Sequence, residues 1–115
     1  MITENKISEI IKKIASGYNP EKIILFGSYA SGTAAENSDI DIFVIKDSEL
    51  PRPQRTMQLR RMLLGSQIPM DLIVYTPSEV DKEKDEKYSF VYEVLNSRKT
   101  VYERKNDWNS KTMDY

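Results

Sequence analysis

Apolar residues recur in the first part of the chain at intervals of three and four: Ile7, Ile10, Ile11 and Ile14. That spacing predicts an amphipathic helix over residues 3–16, with one stripe buried and Glu4, Glu9, Lys12 and Lys13 off it. Thr3 can cap its start, and Gly17 can end it in a left-handed turn. Asn19-Pro20 then breaks the pattern. The next run, KIILF at residues 22–26, is continuously apolar and β-prone, which predicts a strand buried on both faces. After Gly27-Ser28 comes a small, polar stretch, YASGTAAENS, with room for a short helix and a loop. DIDIFVIK, residues 39–46, alternates with period two. Asp39, Asp41, Phe43 and Ile45 fall on one face of that strand, and Ile40, Ile42 and Val44 on the other.

Helical spacing returns from Pro53 to Leu64, where Leu59, Met62 and Leu63 share a face, Met57 and Leu64 lie off it, and Gly65 is the stop signal. MDLIVY, residues 70–75, predicts a third strand with Asp71, Ile73 and Tyr75 on one face. Thr76-Pro77-Ser78 resets the chain for another helix, buried through Phe90, Val91, Val94 and Leu95. KTVYE, residues 99–103, suggests a last short strand. The order helix, strand, strand, helix, strand, helix, strand predicts an α/β (α+β) domain with one mixed β-sheet of about four strands covered by helices. This domain is expected over residues 1–103, with a polar C-terminal tail at 104–115 in which Trp108 and Tyr115 are the groups able to dock.

Composition narrows the chemistry. At 115 residues there is one modest core and no space for a second large domain. Seventeen basic residues against 18 acidic give a net charge of −1, so no broad nucleic-acid-binding surface is expected. There is no cysteine and no histidine, which removes disulfides, thiolate zinc sites and every imidazole mechanism. Catalysis must rest on carboxylates, hydroxyls, amines, guanidiniums or a metal held by oxygen. No segment reads as a signal peptide or a membrane span, so a cytoplasmic protein with no membrane partner is the default expectation.

Gly27-Ser28, ten intervening residues, then Asp39-Ile40-Asp41 is the arrangement that carries chemistry. A glycine ending a buried strand lets the backbone turn sharply and approach a ligand, and the following amides suit phosphate oxygens. Asp39 and Asp41, two apart on a strand, project together and can reach one magnesium ion, or two that share a bridging oxygen. Asp71 is the natural third ligand, since a carboxylate at an apolar strand is costly unless paired or metal-bound. This is a layout for two-metal phosphoryl transfer. An Asp-x-Asp alone is more often a solvated strand face, and a Gly-Ser alone says less still. The combination is what no bland reading explains.

The stretch GSYASGTAAENSDIDIFVI resembles the GS-x10-D-x-D signature of the DNA polymerase β-like nucleotidyltransferase superfamily. The short chain is similar to its minimal nucleotidyltransferase (MNT) branch. The resemblance implies a nucleotidyltransferase fold, ATP as donor, and Mg2+ (two ions). It assigns Gly27 and Ser28 to nucleotide binding at the triphosphate. Asp39, Asp41 and Asp71 become both metal ligands and catalytic residues, with Asp71 on the side of the attacking acceptor. Many family members pair with a HEPN-domain toxin and act as its antitoxin by transferring AMP to a tyrosine, so a HEPN toxin is the implied partner in a hetero-oligomer. Family members often carry arginines just after the Gly-Ser, where this chain has Tyr29 and Ser31. Arg52, Arg55, Arg60 and Lys46 are then the candidate phosphate cations, weighed against a solvated surface role, which is the commoner use of arginine. Tyr29 is a weaker candidate for packing on the base. The rival function is a non-catalytic antitoxin that neutralises a partner by covering its surface. A small-molecule transferase ranks below both, for want of a second domain.

Overall fold

The computed structural model describes residues 1–96 and 99–104. The elements are α1 (Glu4–Tyr18), β1 (Lys22–Phe26), α2 (Gly27–Ser31), β2 (Ile40–Ile45) and α3 (Arg52–Met62), followed by β3 (Met70–Tyr75), α4 (Pro77–Glu83), α5 (Phe90–Asn96) and β4 (Lys99–Glu103). The strands form one sheet in the order β3-β2-β1-β4. β1 runs antiparallel to both β2 and β4, whereas β2 and β3 are parallel, so the sheet is mixed as the patterning predicts. α3 supplies the crossover that a parallel pair requires.

The period-two alternation sorts the core into two halves. Ile23 and Leu25 of β1, Ile40, Ile42 and Val44 of β2, and Leu72 and Val74 of β3 face one way, onto Ile10, Ile11 and Ile14 of α1 and Leu59 and Leu63 of α3. Ile24, Phe43, Ile45 and Tyr75 face the other way, onto Val91 and Val94 of α5. Met57 and Leu64, off the predicted stripe of α3, are exposed.

Three local expectations change. α1 starts where predicted, with the Thr3 hydroxyl accepting the Lys6 amide at 3.2 Å, but it runs past Gly17 to Tyr18. The left-handed cap is Asn19, at φ 51° and ψ 52°. Gly17 is instead a packing position, because a Cβ there would press on Met62 of α3 at 2.5 Å. The last predicted helix is two: α4 ends at Glu83 and α5 begins at Phe90, so the charged run at 82–87 mostly lies in the connection, not on a helix face. Arg104, placed in the tail from sequence, is bonded back to the sheet, its amide to the Glu21 carbonyl at 2.8 Å. Trp108 and Tyr115 lie outside the described residues.

Candidate active site

Strand directions bring the acidic motif together. β1 ends where β2 and β3 begin, and Phe26, Asp41 and Asp71 are partners in one row across those three strands. Side chains directly opposite on neighbouring strands point to the same face. Asp41 and Asp71 therefore stand side by side at the open end of the α5-facing side, followed inward by Phe43 and Ile73. The Phe26 and Phe90 rings meet edge-on at 5.7 Å beside them and close the apolar cluster. Asp39 lies just ahead of β2, exposed, two residues from Asp41 and on its side of the sheet.

Gly27 follows Phe26 directly and opens α2 at φ +70°, a region that side chains disfavour. A Cβ there would run into the Asp41 carboxylate. The backbone thus comes as close to that carboxylate as only a glycine permits. α2 has five residues and ends at Gly32, φ +81°. The Ser28 carbonyl accepts from the Thr33 amide at 3.0 Å, while the Ser28 hydroxyl makes no hydrogen bond among the described residues.

Partial burial pushes the Asp41 carboxyl above the usual range, and the adjacent Asp71 charge, a hydrogen bond with Asp71 and the Asp39 charge add to it. With the charges of Asp71 and Asp39 both acting on Asp41, the site's own electrostatics favour a cation or a proton. The donors are all hard oxygens, the set magnesium prefers over softer metals. Among the described residues, no three acidic side chains already stand in metal-holding geometry.

The cations considered as phosphate partners separate from this site. Lys46, at the opposite end of β2, lies over the Tyr18 ring at 5.2 Å. Arg52 stacks on Tyr75, 3.9 Å from the ring centre, at the far end of β3. Arg55 is buried at 6% exposure and occupied: it donates to the carbonyls of Leu50 and Val74 and, through two nitrogens, to Glu79 at 2.8 and 3.1 Å. Arg60 alone of the four reaches the acidic end, 3.5 Å from the Met70 carbonyl. Tyr29, the candidate for packing on the base, is half-buried. Its ring packs on the α1 side of the core, and its hydroxyl accepts the Ile2 amide at 3.0 Å. The Arg55–Glu79 pair was missed from sequence. Thr76-Pro-Ser-Glu79 is a capping-box pattern that announces the position of Glu79, and in the structure both of its bonds form.

With this geometry, similarity to known proteins becomes informative. The model of the family described as "Polymerase beta, Nucleotidyltransferase" matches residues 6–107. Two relatives are candidate protein adenylyltransferases of Methanocaldococcus jannaschii. MJ0604 is 47% identical over 49 residues, which span 41% of this chain and 49% of that protein. MJ1305 is 32% identical over 111 residues, spanning 90% of this chain and 74% of that one. Among solved structures, a candidate nucleotidyltransferase from Sulfolobus solfataricus superposes with a TM-score of 0.60 at 26% identity, covering 87% of this chain and 79% of its own. A toxin–antitoxin with AMP-PNP superposes with a TM-score of 0.59 at 27% identity, covering 98% of this chain and 86% of its own.

Proposed function

The chain belongs to the polymerase beta nucleotidyltransferase family, and from that premise we propose that it transfers AMP from ATP to a hydroxyl of a partner protein. The acceptor is a tyrosine of a HEPN-domain toxin, which the transfer silences. The observation that carries this reading is the row of Asp41 and Asp71 in register beside Gly27, where the charges of Asp71 and Asp39 both act on Asp41. The protein-adenylyltransferase relatives support a protein acceptor, and the AMP-PNP-containing toxin–antitoxin supports the donor and the kind of partner.

In this reading Asp39, Asp41 and Asp71 hold Mg2+, two ions, which when bound neutralise triphosphate charge and acidify the attacking hydroxyl. Gly27 and Ser28 hold the triphosphate through the amides that open α2 and through the Ser28 hydroxyl. Asp71 lies on the acceptor side and takes the proton of the tyrosine hydroxyl. That oxygen attacks the α-phosphorus, the bond to the β-phosphate oxygen breaks, and pyrophosphate leaves.

Incubation with α-labelled ATP, magnesium and the HEPN-domain protein tests this. Wild type is expected to label the toxin on tyrosine, and Asp41→Asn or Asp71→Asn to lower the rate at least ~100-fold. One observation favours the non-catalytic alternative: Lys46, Arg52 and Arg55 are engaged away from the carboxylates. Toxin neutralisation without label, undiminished in Asp41→Asn, would establish that alternative and overturn the transferase.

A further inference from the structure

α1 and α3 pack side by side on one face of the sheet, and beyond Met62 the chain turns back towards β3. A groove of about 610 Å³ runs between α1 and that turn, floored by Ile10, Leu63, Leu64 and Ile68, with Lys12 and Lys13 along its α1 wall. A second hollow of about 560 Å³ shares Leu63, Leu64 and Ile68 and continues past Arg60 to Met70 and Leu72. The two hollows adjoin at the turn of residues 63–68, which lines both, and form a channel of two segments.

Its charge is one-sided. Lys6 is balanced by Glu9 at 3.5 Å. Lys12, Lys13, Arg60 and Arg61 have no acidic partner among the described residues. Three of these cations, Lys12, Lys13 and Arg60, line the apolar floor in a chain whose net charge is −1. Leu64 stands 76% exposed between them. No aromatic residue lines either hollow. Single-stranded nucleic acid binds by stacking bases on aromatic rings along a cationic track, and this channel has the track without the rings. An amphipathic helix needs the reverse: an apolar floor for residues at i, i+3, i+4 and i+7, with charged walls for its flanks.

The channel also has a defined position relative to the carboxylates. Ile68 and Pro69 lead directly into Met70 and Asp71. The Pro69 carbonyl accepts the Ile40 amide at 3.1 Å, which fastens the end of the channel to the strand start that carries Asp41. A helix seated here lies at the carboxylate end of the molecule, on the opposite face of the sheet.

We propose that this channel docks an acidic amphipathic helix of the partner protein, so that the partner is held by one face while its acceptor hydroxyl reaches round the sheet end to the carboxylates. The proposal rests on the partner-modifying reading above and deepens it by naming the surface and the chemistry of its occupant.

The test uses the intact chain and three fluorescent probes. They are a helical peptide with leucines at i, i+3, i+4 and i+7 and glutamates elsewhere, the same peptide with lysines for glutamates, and a single-stranded oligouridine. The acidic peptide is expected to bind at least tenfold more tightly than the lysine peptide. Its footprint in amide chemical shifts should centre on residues 10–16 and 60–68. Leu64→Asp and Lys12→Glu/Lys13→Glu, all at exposed positions, should each weaken it about tenfold or more. The same variants should lose labelling of the HEPN protein while keeping the thermal shift produced by magnesium with AMP-PNP. Equal binding of both peptides, a footprint elsewhere, or preferential binding of oligouridine would overturn the docking proposal. So would groove variants that label the toxin as wild type does. Absence of the AMP-PNP shift in wild type would instead sink the transferase reading, and the peptide result would stand or fall independently.

Discussion

At the scale of single residues, Gly27 and Glu79 make the sharpest demands. Gly27 holds φ +70° with its α-carbon facing the Asp41 carboxylate. Gly27→Ala combines a left-handed backbone penalty of about 1–2 kcal/mol with displacement of that carboxylate. The expected result is a modest fall in melting temperature and a loss of transfer out of proportion to it. A variant that melts lower but transfers at the wild-type rate would show that the close approach has no catalytic use. Glu79 carries a different test. Its side chain accepts from Arg55 and from the Thr76 amide, and its carboxyl is lowered from 4.5 to about 2, first by the Arg55 hydrogen bond. A carboxyl depressed on folding stabilises fully above its unfolded value, and that contribution is lost as pH falls through the folded one. Between pH 4.5 and 2, wild type should therefore lose unfolding free energy more steeply than Glu79→Gln. Denaturant titrations at several pH values in that window would show parallel slopes if the pair contributed nothing.

At the scale of elements, the sequence was most legible where period-two patterning fixed both the strand and its faces. β3 and β4 lie where MDLIVY and KTVYE predict, and the faces of β2 and β3 follow the alternation. Asp41 and Asp71 could be put on matching faces from sequence, but their register could not, because pairing depends on how α3 crosses over. The helix ends were less legible. Gly17 looked like a stop because it is a glycine, yet its missing side chain makes room for Met62. Arg55 looked like a surface or phosphate cation because it lies among arginines and beside no acid in the chain. Its partner is 24 residues away, on α4. The pair ties α3 and α4 together across the end of β3. Arg55→Met takes the paired guanidinium donors from Glu79, which keeps the Thr76 amide and Arg52, and leaves the Leu50 and Val74 carbonyls without theirs; a loss of about 2–4 kcal/mol is expected, the lower part reflecting Glu79's partial exposure. A double-mutant cycle with Glu79→Gln measures the coupling, and additive losses would argue that Arg55 acts through packing alone.

At the scale of the whole molecule, like charge is concentrated at one end of the sheet. Binding that relieves it should stabilise the fold as a unit. Magnesium with AMP-PNP, at about 100 times its dissociation constant, should add about 2.7 kcal/mol, a rise of roughly 10 °C in a domain of this size. Calorimetry with and without the pair would reveal it, and Asp41→Asn should abolish the rise. The parallel pairing of β2 with β3 has one further consequence. Odd-numbered carbonyls of the 69–75 segment turn inward, as Pro69 and Tyr75 do towards Ile40 and Lys46, so Met70, Leu72 and Val74 turn theirs outward along the sheet's border. Arg60 and Arg55 occupy the first and last of these three. The guanidiniums thereby cover two of the three outward carbonyls on a border open to a foreign strand, which disfavours self-assembly through this flank. Neutralising both arginines should open it, and thioflavin-positive aggregates would be the visible sign.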